Sequence, residues 1–120
     1  WSIAMVDVLD SIPDNHPGRA SRISWILGLA ESLPNYQRDG LWYQVIDQPE
    51  RESNFPEASV TTQCMYAYAK AVNKGYIDAR YRTIAEKAFN GLKKTLLREN
   101  PDGTLTLTRY CQVGGLGGTP

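Results

Sequence analysis

Imidazole and thiol groups are scarce in this 120-residue chain, which holds 1 histidine, His16, and 2 cysteines, Cys64 and Cys111. Neither CxxC nor Cys/His metal spacing occurs, so a zinc site is ruled against, and no metal or other cofactor is expected. Cys64 falls inside an apolar helical pattern and reads as a small buried residue, with a disulfide to Cys111 as the alternative. Net charge is missing too. The 13 basic and 13 acidic side chains cancel, so there is no broad field for nucleic acid or an anionic membrane, and neither is an expected partner. No apolar run approaches the roughly 20 residues that cross a bilayer, and no signal peptide or targeting sequence is visible. The compartment is left open, with the cytoplasm favoured over secretion. Gly114, Gly115, Gly117 and Gly118 miss the spacing of a dinucleotide or phosphate loop, and no P-loop lysine follows them.

What is present is the composition of a soluble globular protein, 42% hydrophobic and 22% charged, in a length suited to one domain. Ile3, Val6, Leu9 and Ile12 repeat at helical spacing until Pro13, with Met5 and Val8 widening the apolar face. After a turn from Pro13 to Gly18, the pattern of Ile23, Ile26, Leu27, Ala30 and Leu33 predicts a second helix up to Pro34 and an antiparallel hairpin with the first. His16 lies in that turn as a surface residue. From about Glu57 to Val72 the chain is apolar nearly all round, as in a helix covered on most sides, with Gly75 as its stop. Asp78 is placed to cap a fourth helix over roughly 79–98, whose apolar residues form a single stripe. The expected fold is therefore all-α, an inner helix beside an outer one, in two hairpins spanning about 1–34 and 57–98.

Between the hairpins lies 40–57, too polar for a core strand and too aromatic for a plain linker. Asp39-Gly40 turns the chain into an extended run over 41–46, and Pro49 and Pro56 keep the remainder out of helix. Trp42 and Tyr43 supply flat faces of the kind that cover sugar rings, and Gln44, Asp47, Glu50, Arg51, Glu52 and Glu57 supply donors and acceptors for hydroxyls. The competing reading is a connecting loop with Trp42 docked on the core. Glu57 and Ser59 open the third helix, where capping is the simpler role. Asp102-Gly103 leads into Thr104 to Thr108, whose alternation predicts a short strand with Leu105 and Leu107 on one face. Helix, helix, Asp-Gly turn and strand thus occur twice, a weak repeat of a kind that closes against neighbours in a solenoid or toroid.

The run DGLWYQVIDQPERESNFPEAS (39–59), the helix YRTIAEKAFNGLKK (81–94) and the tail CQVGGLGGTP (111–120) together resemble the unsaturated rhamnogalacturonyl hydrolases, glycoside hydrolase family 105, related to the unsaturated glucuronyl hydrolases of family 88. The resemblance covers essentially all of the chain and implies an (α/α)6 toroid, of which 1–120 would supply two hairpins of the later half, with short extended segments and a glycine-rich tail over 104–120. Trp1 in place of an initiating Met, and a chain end inside the glycine run, lead to the same expectation of a segment from a longer protein.

The resemblance also implies a chemistry. The substrate is a short oligosaccharide left by a pectin lyase, with a 4,5-unsaturated uronic acid at its non-reducing end. An Asp protonates C4 and activates water for C5, and the hemiketal then collapses to release the sugar, with no metal required. That Asp and its histidine and arginine companions fall before the matched region, so no catalytic residue is assigned within 1–120. Asp7, Asp10 and Asp47 match no catalytic motif of the family. Trp1 resembles the last residue of the family's Trp-Gly-Arg-Gly-Asn-Gly-Trp substrate-binding run. With Trp42 and Gln44 it makes up the expected substrate-binding set, and the glycine run is expected near the active-site mouth. The alternative is a non-catalytic helical carbohydrate-binding or interaction module. Apolar surface on Val60, Met65, Tyr68 and Val72 is expected to be covered either by self-association into a homo-oligomer or by the remaining barrel of a larger protein.

Overall fold

The computed structural model describes residues 1–111. Helix α1 spans Ser2–Ser11 and α2 Arg19–Ser32, followed by a 3-10 turn over Leu33–Tyr36. Helix α3 covers Ala58–Asn73, a 3-10 turn Ala79–Tyr81 leads into α4 at Arg82–Thr95, and strands β1 (Leu97–Glu99) and β2 (Leu105–Leu107) close the described chain. The all-α expectation holds, with one small antiparallel sheet in which Leu97 faces Leu107.

The helix boundaries have local causes. Gly75 takes φ +70° and its N–H reaches the Val72 carbonyl at 3.0 Å, a left-handed stop that a side chain would resist. The Asp78 carboxylate caps the next turn through the Arg80 N–H at 2.7 Å. The second helix ends at Ser32, just before Pro34, which lies in the 3-10 turn Leu33–Tyr36, where its missing N–H costs nothing. The fourth helix stops at Thr95, short of the expected 98, because Leu97–Glu99 takes strand partners instead. The expected extended run over 41–46 is not a strand either. It makes only isolated bridges, Arg38 with Leu41 and Tyr43 with Pro56, and its other backbone groups turn to nearby chain.

Helix α3 is the central element and packs against both α1 and α4. Val6 and Leu9 of α1, Ile26 and Ala30 of α2, Cys64, Tyr68, Ala71 and Val72 of α3, and Ala85 and Ala88 of α4 form one core with Trp42. Tyr68 stacks on Trp42 with ring centroids 6.4 Å apart and sits 6.3 Å from Tyr81, and its hydroxyl donates to the Ala30 carbonyl at 2.9 Å. Tyr68 and Val72 are therefore buried within this chain and Val60 and Met65 half-buried, so the apolar surface expected from them is largely covered. Burial pushes the Cys64 thiol up to about 11, and Cys64 is a core residue without a disulfide. In the sheet the facing pair Leu97 and Leu107 packs against the core, whereas Leu105 is 61% exposed.

The Asp39-Gly40 turn docks on α4 through two glycines. A Cβ on Gly40 would collide with the Lys87 carbonyl, and one on Gly91 would lie 2.5 Å from the Asp39 carbonyl. Gln37 bridges the same contact, its amide donating to the Gly40 and Ile84 carbonyls at 3.0 and 3.2 Å.

Trp42 is 0% exposed, and its indole N–H donates to the Leu33 carbonyl at 2.8 Å. Truncation to Ala removes one of the largest buried side chains, so Trp42→Ala is expected to lower unfolding free energy by about 3–5 kcal/mol in urea titrations. Trp42→Phe should lose less, since it keeps the ring and gives up the bond to Leu33. A Trp42→Ala protein with an unchanged urea midpoint would contradict this packing.

Candidate functional site

Both hairpins run antiparallel, but α1 and α3 run parallel to each other. The Asp7 carboxylate accepts from Tyr66 at 2.8 Å and from Lys70 at 2.6 Å, and Asp10 pairs with Lys70 at 2.5 Å and Lys74 at 3.2 Å, so partner numbers rise together along both helices. The N-termini of α1 and α3 consequently lie at the same end of the structure, and Trp1 stands on the side where the loop over 40–57 enters α3. Helix N-terminal N–H groups gather there with the polar side chains of that loop.

Glu57 is the centre of this end. It is 3% exposed, and its carboxylate accepts from the N–H groups of Ser59 (3.0 Å), Val60 (2.7 Å) and Cys111 (2.9 Å) and from the Ser59 hydroxyl (2.7 Å). Burial raises its pKa, but the bonds from Val60, Cys111 and Ser59 outweigh that, and the carboxyl stays below the usual range. The neighbouring Ala58 N–H donates to the Arg109 carbonyl at 2.9 Å, so the segment after β2 is fastened to the start of α3 twice. Gln44 is exposed, with its amide donating to Cys111 Sγ at 3.7 Å. The loop between them is held by Asn54, whose side chain accepts from the Val45 and Phe55 N–H groups and donates to the Val45 and Gln48 carbonyls.

The expected binding residues fare differently. Trp1 is 94% exposed and presents its whole indole, and Gln44 presents its amide beside Cys111. Trp42 is corrected from a sugar platform to a core residue, because both ring faces are enclosed and its N–H is spent on Leu33. Asp7 and Asp10 are locked to Lys70, whose ammonium lowers the pKa of both and is itself raised in return. Asp47 is exposed in the loop. The glycine run over 114–118 lies outside the described residues. Among the described residues, no three His, Cys, Asp or Glu side chains converge as metal ligands do. Sequence reading saw Glu57 as a cap but not its bond to Cys111, since a contact across 54 positions leaves no mark in local spacing.

A carboxyl with a depressed folded pKa contributes stability that is complete above its unfolded pKa and is lost as pH falls through the folded value. At neutral pH, Glu57→Gln leaves N–H donors without a matched acceptor and should cost about 1–3 kcal/mol. Below about pH 4, near the unfolded glutamate value, the gap between wild type and variant should narrow. Urea midpoints at both pH values check this, and a gap independent of pH would show that the carboxylate charge is not what the site uses.

Residues 1–119 match the model of Glycosyl Hydrolase Family 88. A 24.9 kDa protein in the picA locus of Rhizobium radiobacter is 29% identical over 121 residues, covering 98% of this chain and 52% of that protein. A family 105 glycoside hydrolase of C. acetobutylicum ATCC 824 superposes with a TM-score of 0.92 at 33% identity, over 98% of this chain and 33% of its own. A family 88 glycosyl hydrolase from Bacteroides vulgatus gives a TM-score of 0.83 at 30% identity, over 96% and 32%. The chain thus spans about half the length of the curated relatives it matches and about a third of these solved structures. Its two helix pairs, with the first members of each pair parallel, are what two hairpins of an (α/α)6 toroid, the fold of these relatives, would supply. With the match running from Trp1 almost to the last residue and the helices superposing on family 88 and family 105 structures alike, the chain belongs to glycosyl hydrolase family 88.

Proposed function

We propose that the protein carrying this chain is a glycosidase that hydrates the 4,5-unsaturated uronic acid at the non-reducing end of rhamnogalacturonan lyase products. The observation that carries this reading is the superposition of 98% of the chain on a family 105 glycoside hydrolase. In this reaction a proton is delivered to C4 and a water oxygen bonds to C5. The hemiketal so formed collapses, and the sugar is released. The described segment supplies wall and rim in place of proton transfer. The exposed indole of Trp1 suits the apolar face of a sugar ring, and the amide of Gln44 suits its hydroxyls. Both stand on the side where α1 and α3 present their N-termini.

The carboxylates of this segment fit a non-catalytic part. Asp7 and Asp10 hold Lys70, and a carboxylate held ionised by an ammonium is a poor proton donor. The general acid and base are therefore assigned to the rest of the protein, and the isolated 120-residue chain should be inert.

The test follows the ultraviolet absorbance of the conjugated C4=C5 bond as the intact protein is given unsaturated galacturonyl-rhamnose. Absorbance should fall. Loss of a true general acid or base costs on the order of 10²–10⁴ in rate, so Asp7→Asn, Asp10→Asn and Asp47→Asn should each change kcat by less than about threefold. An intact protein that binds the disaccharide and leaves its absorbance untouched would favour a non-catalytic carbohydrate-binding module.

A further inference from the structure

We propose, resting on the glycosidase reading, that Glu57 is a positioning residue for the sugar site, setting the place of the Gln44 amide through Cys111. Capping alone does not account for what Glu57 does. The cap of α3 needs acceptors for the Ser59 and Val60 N–H groups, and the carboxylate provides them. Its remaining capacity goes to the N–H of Cys111, at 2.9 Å and 54 positions away. Among the described residues the other carboxylate that caps a helical turn, Asp78, accepts from Arg80 two positions on and has no bond to a distant segment.

Three pieces of chain meet at this one residue. The Glu57 N–H donates to the Trp42 carbonyl at 2.9 Å, which fixes the run leading to Gln44, and the Gln44 N–H donates to the Phe55 carbonyl at 3.1 Å. The carboxylate fixes the first turn of α3. Its Oε1 then places Cys111, whose Sγ receives the Gln44 amide. The backbone of Gln44 is thus held from the loop side and its side chain from the 109–111 side, with Glu57 between them. Arg109, at φ +54° in the left-handed region, delivers its carbonyl to Ala58 and turns the chain toward Glu57. A side chain tethered at its backbone and at its amide loses less rotamer freedom on meeting a sugar hydroxyl, and that gain appears in affinity.

Glu57→Gln tests this role, and a lost cap elsewhere serves as its control. A neutral amide keeps only one acceptor oxygen, and its NH₂ faces N–H donors at either position, those of Ser59 and Cys111 at Oε1 or that of Val60 at Oε2, so the charge-assisted hold on Cys111 weakens and exchange of the Cys111 amide with deuterium should quicken about tenfold. With the intact protein and unsaturated galacturonyl-rhamnose, KM should rise about tenfold and kcat stay within about threefold, the signature of lost binding common to ground and transition states. Gln44→Ala should do the same, and the double variant should be no worse than the weaker single, because both act through one contact. Asp78→Ala, a lost cap elsewhere, should lower stability and leave KM unchanged. Effects that add in the double variant, a Glu57→Gln protein with unaltered KM, or a KM that rises equally in Asp78→Ala would overturn the proposal. A wild type that binds the disaccharide without consuming it removes the hydrolase reading alone, and calorimetric affinities of the same variants then decide this one. A wild type that does not bind overturns both.

Discussion

The enclosure of Trp42 is the constraint on which the rest of the structure depends. Every polar atom of this residue has a partner in a different part of the chain. The backbone N–H donates to the Thr61 hydroxyl at 3.2 Å, the carbonyl accepts from Glu57 at 2.9 Å, and the indole N–H donates to Leu33 at 2.8 Å. A buried indole would be costly without that last bond, and with it the end of the first hairpin is joined to the start of the second. Stacking on Tyr68 then sets the depth at which α3 sits. Once Trp42 is inside, the chain two residues later emerges at the surface, and Gln44 is there.

The two sides of α3 are held by different physics. Toward α4 the contact is apolar and close, with Ala85, Ala88 and Leu92 against α3 and a glycine pair letting the Asp39-Gly40 turn touch the α4 backbone. Toward α1 the buried contact through Val6 and Leu9 is flanked by the ion pairs of Lys70 and Lys74 with Asp7 and Asp10. Exposed pairs of this kind add little to stability, but they pick one register and one direction for α1 against α3. That direction brings Trp1 to the same end as Glu57. Carboxylates that could pass for acid and base in a sequence are thereby committed to alignment.

Much of the fold was legible because it rests on periodicity. Ile3, Val6 and Leu9 at helical spacing, the apolar girth of the region around Cys64 to Val72 and the single stripe of α4 each follow from burial on a helix, and the structure keeps all of them. The caps Asp78 and Gly75 were legible for a similar reason, since each satisfies backbone groups within a few residues of itself. Alternation in Thr104 to Thr108 signalled β2, but not that Leu97–Glu99 would leave the fourth helix to pair with it. Local sequence gave the strand former and was silent on the partner.

The candidate site was legible only in its residue types. By itself the sequence determined an all-α chain of inner and outer helices, a polar aromatic loop between them, and a balance of basic and acidic side chains. Tertiary structure decided where Trp42 goes: it enters the core because a carbonyl of Leu33 and a ring of Tyr68 are there to receive it. It also decided that Glu57 binds Cys111. Periodicity reports the faces of single elements, whereas the meeting of segments 54 positions apart is fixed by how those elements pack, so that bond could be read only once the helices were in place.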